Sequence, residues 1–301
     1  CSSVPNVMHA CGHDVHTASL LGTAIILNTL KSEWEGSVKL IFQPSEEKQP
    51  SGAKAMIDAG VLSNPKVDAI LGQHVTPELE VGKIGYRAGK FMASADEIYI
   101  KVIGKGGHAA SPHKCIDPIL ISSHIVIALQ QLVSRNASPI LPTVLSIGDI
   151  SGKGATNIIP DFVEMKGTLR TFDEAWRSGM HDKIKSICES IASGMGGKCE
   201  VLIPPGIPYV ENDPSLTNAF VEFASDYLGA DKLVEMDIRM GAEDFSFYTH
   251  QVPAFFYRLG TGNISKGITA NIHTPQFDID EDAFKHSSGL MAYVAMEMLK
   301  N

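Results

Sequence analysis

The sequence predicts an α/β protein built on a mixed sheet, interrupted by a smaller α+β insert. Two observations carry that expectation. Short apolar runs at residues 38–42, 67–71 and 254–259 each lead into polar residues or a glycine loop, as buried strands of a helix-covered sheet do. Between them the pattern changes to period two. In Glu97-Ile98-Tyr99-Ile100-Lys101-Val102 the apolar residues fall on one face, and Val163, Met165 and Leu169 alternate with Glu164, Lys166 and Arg170.

The insert's helices are marked by their starts. Asp117-Pro118 pairs a capping acid with proline at the first helical position. Asp173 opens a second helix whose Trp176, Met180, Ile184, Ile187 and Ile191 recur every three or four residues, with Gly194 as its stop. A strand from Lys198 to Ile203 completes a unit of the split-βαβ kind. The expected layout is a first domain made of residues 1–90 and 208–301, with an inserted domain at 91–207. A last helix begins near Asp280-Glu281-Asp282, where acids suit the positive helix terminus.

Composition narrows the function classes. With 25 basic and 34 acidic residues the formal charge is 25 − 34 = −9, the wrong sign for a nucleic-acid footprint. No apolar stretch approaches the ~20 residues of a membrane helix, so no membrane partner is expected. The opening Cys1-Ser2-Ser3-Val4-Pro5 has neither a basic nor an apolar leader region. The five cysteines are odd in number and scattered, which points to a reducing, cytoplasmic setting.

The chemistry concentrates at strand ends. His9-Ala10-Cys11-Gly12-His13-Asp14-Val15-His16 holds four potential Cys and His ligands, and in an extended backbone Cys11 and His13 project to one side. A thiolate with an imidazole suits zinc or another borderline divalent ion. Glu46-Glu47 would repel unless a cation sat between them or one held a proton. One could then ligate a metal while the other takes a proton from water. His74 and His273 are further ligand-type residues at loop positions. A phosphate loop at Gly104-Lys105-Gly106-Gly107 is set aside for lack of its Gly-Lys-Ser/Thr ending. A calcium loop at Asp278, Asp280 and Asp282 is set aside because Ala283 replaces the required glycine.

Six blocks in order carry a resemblance. They are Met8-His9-Ala10-Cys11-Gly12-His13-Asp14, Gln43-Pro44-Ser45-Glu46-Glu47, Gly104-Lys105-Gly106-Gly107-His108-Ala109-Ala110, Asn157-Ile158-Ile159-Pro160, Gly167-Thr168-Leu169-Arg170 and Gly241-Ala242-Glu243-Asp244-Phe245. Together they resemble the M20 metallopeptidase/amidohydrolase family, in the branch of aminoacylases, hippurate hydrolases and auxin-conjugate hydrolases. The resemblance implies a zinc-peptidase-like catalytic domain and an inserted ferredoxin-like dimerisation or lid domain. It implies two divalent metal ions per chain, zinc foremost, with manganese, cobalt or nickel compatible. Cys11 would bridge them, and His13, Glu47, His74 and His273 would complete their shells.

By the same resemblance Glu46 is the general base, and His108 stabilises an oxyanion in the active site of a partner copy in a homodimer. Asn157 and Arg170 would hold substrate oxygens and Glu243 would line the pocket. By residue type and position, apart from the resemblance, Asp14 and His16 are expected to orient ligands and His9, His113 and His124 to be structural. The expected substrate is an N-acyl-amino acid. A dipeptide-cleaving exopeptidase and a silent metal-binding dimerisation module are the alternatives. Family members carry a segment ahead of the Cys-Gly-His-Asp motif that supplies further strands, and the sequence is expected to lack it.

Overall fold

The computed structural model describes residues 4–48 and 50–300, so Cys1, named among the five cysteines, lies outside the described residues. The first leg of the chain carries α1 (His13–Thr29), α2 (Gly52–Asp58) and the strands β1 (Ile70–Glu80), β2 (Ile84–Tyr86) and β3 (Gly89–Met92). The middle carries β4 (Asp96–Ile103), β5 (Gly107–His108), α3 (Pro118–Gln131), β6 (Thr143–Ser151), β7 (Ile158–Ile159), β8 (Phe162–Thr171), α4 (Glu174–Gly194) and β9 (Lys198–Leu202). The return leg carries β10 (Val210–Asn212), α5 (Pro214–Leu228), β11 (Leu233–Glu235), α6 (Ser246–Thr249), β12 (Ala254–Gly262) and α7 (Ala283–Met298).

These elements form two compact units. The first comprises Cys1–Phe91, Val210–Ile238 and Asp244–Asn301; the second comprises Met92–Tyr209 and Arg239–Glu243. The first unit holds a mixed sheet in the order β1-β12-β2-β11, with β1 parallel to β12, β12 antiparallel to β2, and β2 parallel to β11. All nine residues of β12 are buried, Arg258 and Thr261 among them, and its apolar stretch at 254–257 suits a strand covered on both faces. Val15 of α1, Val75 of β1, Phe220 of α5, Tyr257 of β12 and Leu290 of α7 share one core. Each such large apolar side chain contributes about 1.5–3 kcal/mol on burial. Helices α1 and α7 approach closely because Gly22 faces Ser288, where an added Cβ would fall 2.4 Å from the hydroxyl oxygen. Beside it the Ser19 and Ser287 hydroxyls bond at 2.7 Å.

The second unit has an antiparallel sheet in the order β6-β8-β4-β9 and the chain order β4-α3-β6-β8-α4-β9, with β5 and β7 as a separate two-stranded ribbon. Ile98, Ile100 and Val102 are buried against Ile121, Ile125, Val163, Met165, Met180 and Ile184. Asp117 accepts from the Ile119 and Leu120 N–H groups at the start of α3, and Asp173 accepts from Trp176 N–H at the start of α4. The capping acids thus sit at the ends the sequence marks.

Two strand expectations need correction. Residues 38–42 form no strand: among the described residues nothing pairs with their backbone, and Phe42 is exposed. Val38 instead packs with Leu27 and Met296, while the Lys39 ammonium donates to the carbonyls of Val61, Asn64 and Pro65. An apolar run supplies the burial of a strand but not its ladder partner. The strand expected at 67–71 begins only at Ile70 and continues through His74 to Glu80. His74 therefore sits within β1, at register with Arg258 of β12, and not in a loop after it.

Candidate metal centre

Three local structures of the first unit bring the ligand-type residues together. The Cys11–His13 segment is not extended, contrary to the sequence expectation. Gly12 turns the chain at φ 78° and ψ 20°, and His13 begins α1. Only glycine suits this position. A Cβ there would sit 2.6 Å from a Val75 methyl, and the left-handed conformation disfavours side chains independently. The turn puts the Cys11 thiol 3.4 Å from His74 Nε2 and 3.1 Å from His273 Nε2.

The other two contributors are strained loops. Ser45, just before Glu46, has φ 54°, and His273 has φ 63°; neither is glycine. Such conformations cost on the order of 1–3 kcal/mol and persist where surroundings enforce them. The His273 N–H is held by the Ala10 carbonyl at 2.6 Å, which ties that loop to the Cys11 turn. Glu47 Oε1 then lies 3.3 Å from His273 Nε2 and 3.8 Å from His13 Nε2, and Glu46 Oε2 lies 3.9 Å from His13 Nε2.

The donors form two triads that share the thiol. Cys11, His13 and His74 each offer a ligand atom within 4.8 Å of the others, and so do Cys11, Glu47 and His273. A third grouping joins His13 to Glu46 and Glu47. One thiolate, three imidazoles and a carboxylate suit borderline divalent ions, so the residues present fit a pair of them.

Neighbouring groups prepare these donors. His74 Nδ1 donates to the Val75 carbonyl at 2.8 Å, because a carbonyl can only accept. That bond fixes the tautomer and leaves the Nε2 lone pair toward Cys11. His16 Nε2 accepts the Val75 N–H at 3.0 Å, so its ring braces β1 instead of facing a ligand position. Burial, His13 and Arg258 lower His16 to about 3, and burial with His16 and Arg258 lowers His74 well below its usual value. Both rings are accordingly neutral, the form in which an imidazole can offer a lone pair. Burial, then Glu47, then Asp244 push the Glu46 carboxyl up to about 7. Two neighbouring acids that resist joint ionisation are what an incoming cation relieves.

The remaining expected residues lie in the second unit. His108, on β5, is exposed and opposes Ile158 of β7; its Nδ1 accepts from Ala110 N–H at 3.1 Å. Asn157 is the residue before β7, and its carbonyl accepts from Ala109 N–H at 3.0 Å. The ribbon thus brings His108 and Asn157 onto one short element. Arg170, on β8, is half-buried; burial lowers its guanidinium while Asp96 opposes that effect. Glu243 is buried at the end of the Arg239–Glu243 segment.

A family model described as peptidase family M20/M25/M40 matches residues 1–297. The chain belongs to this family. N-acetylcysteine deacetylase of Bacillus subtilis (strain 168) is 41% identical over 299 residues, spanning 99% of this chain and 76% of that one. IAA-amino acid hydrolase ILR1-like 4 of Arabidopsis thaliana is 39% identical over 304 residues, 99% of this chain and 68% of that protein. Among solved structures, the Bacillus subtilis YXEP protein, a dinuclear metal binding peptidase from the M20 family, superposes with a TM-score of 0.84 at 37% identity. The superposition covers 100% of this chain and 76% of that chain. This M20 chain is therefore a hydrolase of the amidohydrolase kind, and its mixed α/β architecture is that of the family.

Residue reasoning missed one group within this M20 site. Gln43 and Asp244 occur inside the recognised blocks but have no role assigned there, and Ser51 lies outside them. In the structure the three are hydrogen-bonded together. The signal available in the sequence was a lone acid after Glu243 and an amide before Glu46, which no spacing rule connects across some two hundred positions.

Proposed function

We propose that this M20 enzyme hydrolyses the amide bond of N-acyl-amino acids, with Glu46 as general base beside two divalent metal ions. The observation that carries the reading is the pair of donor triads sharing Cys11, with Glu46 adjoining them through His13 and Glu47. Cys11, His13, His74, Glu47 and His273 would hold the two ions, with Cys11 common to both donor groups. Zinc suits this thiolate and imidazole set best, and manganese, cobalt and nickel are compatible. When bound, such ions supply Lewis acidity that activates water and polarises the scissile carbonyl.

Glu46 removes a proton from the attacking water as its oxygen bonds to the carbonyl carbon. The C–N bond then breaks, and Glu46 returns that proton to the departing amine nitrogen. The products are a carboxylic acid and a free amino acid. Glu46, which adjoins the donor groups through His13 and Glu47, is placed to carry the proton in both halves of this transfer. The relatives named N-acetylcysteine deacetylase and IAA-amino acid hydrolase support an acyl-amino acid as substrate.

The second unit is read as a ferredoxin-like lid and dimerisation domain, supported by its chain order β4-α3-β6-β8-α4-β9 and sheet order β6-β8-β4-β9. From it, His108 of one copy in a homodimer stabilises the oxyanion in the other. Asn157 and Arg170 hold substrate oxygens, and Glu243 lines the pocket. The Cys11 thiol must stay reduced to serve as a ligand, in keeping with a reducing compartment. Hydrolysis of a panel of N-acetyl and N-benzoyl amino acids and dipeptides, before and after chelation and metal add-back, tests the reading. Metal-dependent release of amino acid from the acyl substrates is expected. Preference for dipeptides would replace this reading with an exopeptidase, and inertness toward all of them at full metal occupancy would overturn it.

A further inference from the structure

Asp244 is buried, with no exposed surface, a setting that a carboxylate tolerates only when its oxygens are hydrogen-bonded. Its side chain is consumed by the loop that carries Glu46 and Glu47. Oδ1 accepts from Gln43 Nε2 at 2.7 Å, on the entering side of that loop. Oδ2 accepts from the Ser51 hydroxyl at 2.5 Å and from Ala53 N–H at 3.1 Å, on the leaving side. The Asp244 backbone N–H donates to the Glu46 carboxylate itself.

The loop's ends are pressed together as well. Gly52 N–H donates to the Ser45 carbonyl at 3.3 Å, and a Cβ on Gly52 would collide with the Pro44 carbonyl oxygen at 1.6 Å. The next residue roots the clamp in the sheet. The Phe245 ring packs on Phe256 of β12 at 5.0 Å and lies where a Cβ on Gly72 of β1 would be, 2.6 Å away. β1 also carries His74. A single acid therefore links the general-base loop to the strand that presents a metal donor.

We infer that Asp244 is a positioning residue for hydrolysis, holding the Glu46–Glu47 loop in its strained, reactive setting through Gln43, Ser51 and Ala53. The inference rests on the proposed role of Glu46. Its reach is over Glu46 more than Glu47, because its own N–H binds the Glu46 carboxylate while the side chain fixes both flanks. Displacement of a catalytic group by about 1 Å costs roughly 100-fold in rate.

The test measures kcat, KM, bound metal and Tm under saturating divalent metal, with an N-acetyl amino acid as substrate. The chains compared are the parent, Asp244→Asn, the Gln43→Ala/Ser51→Ala double variant and Glu46→Gln. Asp244→Asn keeps the shape but sets an amide N–H₂ against donors on one side. The expected result is a fall in kcat of about 10- to 100-fold in Asp244→Asn and in the double variant. KM should change little and metal content should match the parent.

A merely structural Asp244 would lower Tm and the folded fraction but leave kcat per folded, metal-loaded chain at the parent's value; that result overturns the inference. Loss of metal at saturation also overturns it, because the loop would then serve only the donor Glu47. If Asp244→Asn does not fold, the double variant, which leaves the buried carboxylate in place, decides. Full turnover in Glu46→Gln would remove the proposed general base, and the inference with it. An inactive Glu46→Gln beside an unimpaired Asp244→Asn removes the inference alone.

Discussion

The donor cluster of the first unit and the His108–Asn157 ribbon of the second hold their polar groups in opposite ways. Around Cys11, the donors are set by interactions that leave little freedom. These include a left-handed Gly12 against Val75, a positive φ at His273 and a tautomer of His74 fixed by the Val75 carbonyl. On the ribbon, His108 is exposed and, among the described residues, its ring is tied to a neighbouring N–H alone. On the proposed roles, the difference matches two tasks. Metal donors must be in place before an ion arrives, since each displaced ligand costs affinity. A group that meets developing charge on substrate can be held loosely until substrate orders it.

The largest effects should strike the rigid region. Glu46→Gln should lower kcat by about 100- to 10,000-fold, the range for loss of a general base, while bound metal stays at the parent level. Metal analysis beside steady-state kinetics checks this, and metal loss in that variant would mean that Glu46 is a donor and not the base. Gly12→Ala should act on the metal instead. The Val75 contact and the φ of 78° both oppose a Cβ, so metal affinity should fall by about 10- to 100-fold, as measured by competition with a chelator.

The exposed ribbon should answer differently. His108→Ala is expected to cost about 100- to 1000-fold in kcat, as for loss of one oxyanion donor, with Tm and metal content unchanged. Mixing inactive His108→Ala chains with inactive Glu46→Gln chains should restore part of the activity if each copy completes the other. Absence of any restoration in the mixed dimers would place His108's action within one chain.

These contrasts also explain what the sequence made legible. Strand β12, the alternation of β4 and the capping acids Asp117 and Asp173 are encoded by neighbours, so pattern alone finds them. The metal-type residues were legible because thiol, imidazole and paired carboxylates are chemically distinctive wherever they fall. The misreadings share another cause. Residues 38–42 read as a strand because hydrophobicity reports burial and not a ladder partner. Cys11 and His13 read as extended because nothing local reveals that Val75 crowds Gly12. Asp244 stayed unassigned because its partner Gln43 lies 201 positions away.

Smaller effects separate stability from chemistry within the second unit. Asp96 is fully buried and takes two hydrogen bonds from Arg177, at 2.7 and 2.8 Å. Burial alone would raise its carboxyl, but the bonds from Arg177 and the nearness of His181, 3.1 Å away, outweigh that and hold it below 3.8. A carboxyl with a depressed folded value stabilises fully above its unfolded value and loses that contribution as pH falls through the folded one. Asp96→Ala should therefore cost about 3 kcal/mol near neutrality, by stranding a buried guanidinium, and less below pH 3.8. Urea unfolding at several pH values measures this. A pH-independent cost would show that packing, and not charge, is what Asp96 supplies.

Asp117→Ala is the mildest change and the sharpest control. The carboxylate caps α3 by accepting from Ile119 N–H at 2.9 Å and Leu120 N–H at 3.3 Å, and the residue is half-buried. Removing a cap of this kind costs about 1 kcal/mol. The helix packs on β4 and β8 through Ile121, Ile125 and Leu129, and those contacts survive the substitution. Stability should therefore drop slightly while kcat, KM and bound metal hold. If kcat falls with stability, the second unit's packing is part of catalysis, and the contrast between a rigid donor cluster and a loosely held ribbon gives way to one coupled device. If kcat holds, the ribbon's contribution is chemical, and losses in His108→Ala can be assigned to the imidazole.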